Sequence, residues 1–130
     1  MDSINKLFDL AKQTRLNAYA PYSNFKVGAA ILTSGGKFYT GCNVENASYP
    51  CGTCAEAGAV AAMIADGETE IAEILIIADT DCILPCGNCL QKIAEFGHKD
   101  TLIHSADTKK VVKTQTLKDL LPQSFVLKEK

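Results

Sequence analysis

Apolar positions near the start of the chain recur at helical spacing: Ile4, Leu7, Phe8 and Ala11 share one face, Ser3 stands where a cap belongs, and Pro21 limits the helix. The period then changes. Residues 25–33 and 37–44 suit two strands, and Ser34-Gly35-Gly36 between them predicts a hairpin. Residues 54–66 are rich in alanine and stop at Gly67, the pattern of a closely packed, buried helix. Residues 74–78 form an unbroken apolar run, as in a central strand covered on both faces. After Pro85 a third helix is predicted to start at Cys86 and to carry Leu90, Ile93, Ala94 and Phe96 before Gly97. Residues 101–104 and 111–116 are weaker strand patterns, and residues 117–121 read as a short helix ended by Pro122.

That order of hairpin, helix, strand, helix and strand predicts an α/β fold with one mixed sheet covered by helices. A chain of 130 residues is too short for a second independent core, so residues 1–130 are read as a single domain. With 47% hydrophobic and 22% charged residues the composition fits a packed globular protein and excludes a disordered or fibrous one. The formal net charge of -2 supplies no positive field for a phosphate backbone, which argues against nucleic acid as a partner. Lys109, Lys110, Lys113, Lys118, Lys128 and Lys130 are mixed with Asp119 and Glu129 and read as a solvated surface.

No apolar run approaches the roughly 18 residues of a membrane span, and Met1-Asp2-Ser3-Ile4-Asn5 lacks the basic start and apolar stretch of an export leader. A cytoplasmic location with no membrane partner is therefore expected. In that compartment six cysteines point away from disulfides and toward metal binding or catalysis.

Cys86 and Cys89 stand in Pro-Cys-Gly-Asn-Cys at a predicted helix start, where a spacing of three brings both thiols to one face and the helix dipole favours thiolates. A second pair, Cys51 and Cys54, could join them in a closed four-cysteine structural zinc site with no position for substrate. Against that reading stands Cys54-Ala55-Glu56. A ligand followed two residues later by glutamate at one helix start, combined with Pro-Cys-x-x-Cys at another, is the pattern of zinc deaminases, in which the glutamate works as acid and base without binding metal. Three ligands, Cys54, Cys86 and Cys89, leave the fourth zinc position to water. Taken alone, Glu56 could be a first-turn carboxylate favoured by the dipole. Cys42, Cys51 and Cys82 read as small buried hydrophobes or incidental thiols, and His98 and His104 stand outside the motifs with no partner implied.

Over nearly its whole length the chain resembles the short homotetrameric cytidine deaminases. The resemblance runs through Tyr19-Ala20-Pro21-Tyr22-Ser23-Asn24-Phe25-Lys26-Val27-Gly28-Ala29-Ala30 and Gly41-Cys42-Asn43-Val44-Glu45-Asn46-Ala47-Ser48-Tyr49. It continues through the two cysteine motifs to Leu120-Leu121-Pro122 and Phe125. It implies a three-layer α/β/α fold with a mixed five-stranded sheet and one Zn2+ per chain. The implied activity is hydrolytic deamination of cytidine and deoxycytidine in pyrimidine salvage. Asn43 and Glu45 would bind the ribose hydroxyls, Phe25 would stack on the base, and Glu56 with the Ala55 backbone would read the pyrimidine edge. Tyr49 and Phe125 resemble residues lent to a neighbouring subunit's site in a homotetramer. Glu56 would carry one proton from water to N3 and a second to the departing ammonia.

Two departures stand out: many members of that family carry arginine where this chain has Ala57 and Leu90. The charge of three thiolates must then be offset mainly by helix N-termini and backbone N–H groups, or by a residue that the motifs do not identify. Two other readings remain at this point. One is a deaminase for a different amine-bearing heterocycle, which would lack the ribose set, and the other is a binding module stabilised by a four-cysteine zinc site.

Overall fold

A computed structural model describes residues 3–128; the start Met1-Asp2 and the terminal Glu129 and Lys130 lie outside the described residues. The elements in order are α1 (Ser3–Arg15), β1 (Val27–Thr33), β2 (Phe38–Cys42), a 3-10 turn (Tyr49–Cys51), α2 (Ala55–Ala65), β3 (Ile71–Ala78), α3 (Gly87–Phe96), β4 (Leu102–Ala106), β5 (Val111–Thr116) and α4 (Leu117–Leu120). The five strands form one sheet in the order β2-β1-β3-β4-β5. β3 pairs antiparallel with β1, Leu75 opposite Ala30, and parallel with β4, Leu75 opposite His104. β2 and β5 close the edges as antiparallel neighbours.

The unbroken apolar run of β3 follows from its place between two helical layers. Successive side chains of a strand point to opposite faces. Ile74 and Ile76 pack with Ala59 and Met63 of α2 and Ile93 of α3, while Leu75 and Ile77 pack with Leu7 and Ala11 of α1. All four strand residues are fully buried, each contributing about 1.5–3 kcal/mol relative to exposure. α1 thus covers one face, α2 and α3 the other, in the three-layer α/β/α arrangement with a mixed five-stranded sheet. No helix among the described residues is long and apolar enough to cross a membrane.

Two local expectations are corrected. Ser3 lies inside the first turn of α1, and its hydroxyl donates to Glu73 Oε2 at 3.1 Å rather than closing a cap. The first two strands are shorter than predicted because a side chain takes over from the ladder: Val27 N–H donates to Asn43 Oδ1 at 2.9 Å and Asn43 Nδ2 to the Phe25 carbonyl at 2.9 Å. Asp119, grouped with solvated lysines, is exposed as expected and in addition forms a capping box with Thr116 at the start of α4.

Candidate active site

α2 and α3 pack side by side on one face of the sheet, and each begins at a cysteine. Cys54 is the N-cap of α2 and Cys86 the N-cap of α3, both extended, while Cys89 lies one turn into α3. The three sulfurs lie within 4.8 Å of one another, the only such group of metal-ligating side chains among the described residues. A tetrahedral zinc with Zn–S bonds of about 2.3 Å sets its sulfurs about 3.8 Å apart, so the group suits a zinc ion with modest adjustment. Cys51 is not part of the group, and it lies exposed in the 3-10 turn. Three ligands rather than four leave one position open to water or substrate. Cys82 is also exposed and Cys42 half-buried, so none of these three serves as a buried core residue.

The three thiols differ in their electrostatics. Burial pushes the Cys54 thiol up, and the nearby charges of Glu56 and Cys86 push the same way. Cys89 is raised further, again first by burial and then by Glu56 and Cys54. Cys86 is lowered: the backbone N–H groups of Cys89 and Asn88 at the start of α3 act on its sulfur, although no capping hydrogen bond is formed. Among the described residues, no cationic side chain acts on any of the three sulfurs. Leu90 is buried against α2 in the core, and Ala57 is half-buried. At Cys86 the offset of thiolate charge comes from helix-start amides, and a dication at the centre would relieve the repulsion among the three sulfurs and favour the thiolates.

Glu56 sits in the first turn of α2, two residues past Cys54, and is 5% exposed. Burial raises its pKa, offset in part by its own backbone N–H and by the Cys89 thiol. A carboxylate so placed holds a proton more readily than a solvated one and can both take and return it.

A cavity of about 640 Å3 opens over these groups, within the range of small-molecule sites. Its floor is Cys54, Ala55, Glu56, Cys86 and Cys89, and its wall includes Asn43, Glu45 and Tyr49. These wall residues reach the metal ligands because the segment after β2 folds back on itself. Val44 and Thr53 exchange two backbone hydrogen bonds of 3.0 and 2.9 Å, and Glu45 N–H donates to the Tyr19 carbonyl at 2.8 Å. Asn43, Glu45 and Cys54 are thereby gathered from three parts of one loop.

Phe25 and Phe125 do not line the cavity. Phe25 is 38% exposed, two residues before the wall residue Val27. Phe125 is 69% exposed, its carbonyl accepting a bond of 3.0 Å from Gln91 Nε2 of α3. Sequence reasoning missed Ser23, Ile83 and Leu84, which also form the wall. For Ile83 and Leu84 a signal existed: they immediately precede the Pro85-Cys86 motif. His104, assigned no role, is buried in the sheet between Glu73 and Thr114, 2.8 Å from each, and is structural.

The family model described as the cytidine and deoxycytidylate deaminase zinc-binding region matches residues 1–105. A protein of Sporosarcina psychrophila named cytidine deaminase is 38% identical over 94% of this chain and 90% of its own length. One of Mycobacterium tuberculosis with the same name is 40% identical over 95% and 90%. Among solved structures, the cytidine deaminase of Burkholderia pseudomallei superposes with a TM-score of 0.90 at 41% identity, covering 96% of this chain and all of that one (100%).

Proposed function

Because this chain belongs to the cytidine and deoxycytidylate deaminase zinc-binding family, we propose that it hydrolyses cytidine and deoxycytidine to uridine and deoxyuridine with release of ammonia, a reaction of pyrimidine salvage. The observation that carries the reading is the buried Glu56 beside an open three-thiol site at the floor of a cavity walled by Asn43 and Glu45. Cys54, Cys86 and Cys89 would hold a zinc ion, which would acidify a water to the pKa of about 7 known from well-studied catalytic sites. Glu56 would take one proton from the attacking water and pass it to N3 of the pyrimidine as oxygen adds to C4. It then carries the second proton to the amino group, which leaves as ammonia, so one water is consumed and Glu56 ends as it began.

In this reading Asn43 and Glu45 hold the ribose, the Ala55 backbone with Glu56 reads the base edge, and Phe25 flanks the base. Phe125 serves the site of another subunit in a homotetramer, together with Tyr49. Supporting this, the Phe125 ring is largely exposed while its backbone is anchored by Gln91, as expected of a side chain offered outward. The whole chain acts as one domain, and a cytoplasmic location fits its nucleoside substrate.

The assay is the loss of ultraviolet absorbance from cytidine, deoxycytidine and cytosine, with and without a chelator. Turnover of both nucleosides that the chelator abolishes is the expected result. A zinc-loaded protein that turns over none of the three refutes the reading.

A further inference from the structure

We propose that Ser23 is the positioning residue for ribose recognition, its hydroxyl locking the Glu45 carboxylate and the Phe25 backbone into one rigid unit at the cavity wall. The inference rests on the reading of Glu45 as a ribose contact. The segment that approaches Glu45 is short and sharply turned: Asn24 adopts φ 58°, the left-handed region that Asn tolerates better than most residues. That turn lets the Ser23 hydroxyl accept the Phe25 N–H at 3.0 Å. The same hydroxyl donates to Glu45 Oε2. Glu45 Oε1 in turn accepts the N–H groups of Tyr22 and Ser23 at 3.0 and 3.1 Å.

The count of hydrogen bonds decides what is left for a ligand. An ionised carboxylate offers about four acceptor sites, and three are filled by Tyr22 and Ser23. Oε1 carries two of the three bonds, so the remaining site belongs to Oε2, the oxygen whose orientation the Ser23 hydroxyl sets. Glu45 and Ser23 both line the cavity. A single, oriented, anionic acceptor suits one hydroxyl donor. Ser23 itself has its proton committed to Glu45 and an acceptor site committed to Phe25, so it acts through Glu45 rather than on the ligand. Its hydroxyl is also the main reason that the Glu45 carboxyl stands below its ordinary pKa.

Without the hydroxyl, Oε2 is free to rotate toward water and the Phe25 amide loses its partner. The loss should fall on discrimination between ribose patterns and not on the chemistry at the base. The test compares cytidine, 2′-deoxycytidine and 3′-deoxycytidine in the zinc-loaded wild-type, Ser23→Ala, Ser23→Thr and Glu45→Gln proteins, with zinc content and melting temperature as checks on the fold. Charge-assisted hydrogen bonds are strong enough that wild type should disfavour one deoxy analogue by about tenfold or more in kcat/KM. Ser23→Ala should raise KM for cytidine by about tenfold, change kcat by no more than about twofold and largely erase that penalty, whereas Ser23→Thr restores it. A penalty that survives intact in Ser23→Ala overturns the proposal, as does a fall in kcat and zinc content with the penalty unchanged. If wild type shows no penalty, or Glu45→Gln keeps it, the ribose reading of Glu45 is itself wrong and the Ser23 proposal falls with it.

Discussion

A Cβ placed on Gly41 of β2 would stand 2.4 Å from the carbonyl oxygen of Ala55, in the first turn of α2. The same Cβ would lie 2.3 Å from the Ala59 nitrogen. Both are backbone atoms that cannot rotate away, so the helix start bearing Cys54 and Glu56 lies against the sheet at a distance only glycine allows. Gly41→Ala should displace α2, cost about 1–3 kcal/mol of stability and lower kcat/KM by up to about a hundredfold. Denaturant midpoint and steady-state kinetics measure the two effects, and a fully wild-type profile would show that the contact does not set the site.

The far end of α2 is tied to the same strand. Tyr39 Oη donates to Asp66 Oδ2 at 2.5 Å, and Asp66 is the C-cap of the helix. The Asp66 carboxylate, chiefly through that hydrogen bond, pushes the Tyr39 phenol from 10.0 up to about 12. A raised phenol pKa favours the folded state fully below the unfolded value of 10.0, and the contribution is lost as pH rises through about 12. Spectrophotometric titration should find one late tyrosine that Asp66→Asn brings down; no change in that variant would break the assignment.

Purified protein should contain about one zinc per chain, because three thiolates with an open position suit zinc better than harder cations. Cys86→Ala should lose the metal. Cys51, outside the sulfur group, should be dispensable, and zinc loss in Cys51→Ala would contradict an open three-ligand site.

Glu56→Gln keeps the size of the side chain and removes its ability to move protons. Zinc content and melting temperature should hold while kcat falls by about 10²–10⁴-fold. Near-normal turnover would reduce Glu56 to a buried helix-start residue.

For the shared site, two inactive variants are mixed after dissociation: Glu56→Ala and a chain lacking residues 124–130. A hybrid tetramer can hold an intact Glu56 in one subunit and an intact Phe125 in another, so partial activity should return. Mixed tetramers confirmed by mass but without activity, or active protein that sediments as a monomer, would exclude a site completed across subunits.

The chemistry was legible in the chain because it depends on short spacings. Cys54 and Glu56 are two residues apart, Cys86 and Cys89 three, and a helix start converts such spacings into one face with its amides exposed. The alanine-rich α2 and the apolar run of β3 likewise announce burial on their own, since local pattern and tertiary demand agree there. Wall residues were harder. Ser23 and Glu45 are 22 positions apart, and nothing in either neighbourhood requires them to meet. Ser3 reads locally as a cap, yet a carboxylate 70 positions away takes its hydroxyl.

What the amino-acid order determined by itself is therefore the set of reactive groups and the helices and strands that carry them, because hydrogen-bond periodicity and capping act over a few residues. Only the tertiary structure decided that Cys51 stands apart from the other three cysteines, that amides rather than a cation act on Cys86, and that Glu45 is held by the loop at Ser23. Those outcomes depend on how β2 and α2 approach and on the turn at Asn24. Close packing sets such approaches through contacts between residues distant in sequence, and no local pattern encodes them.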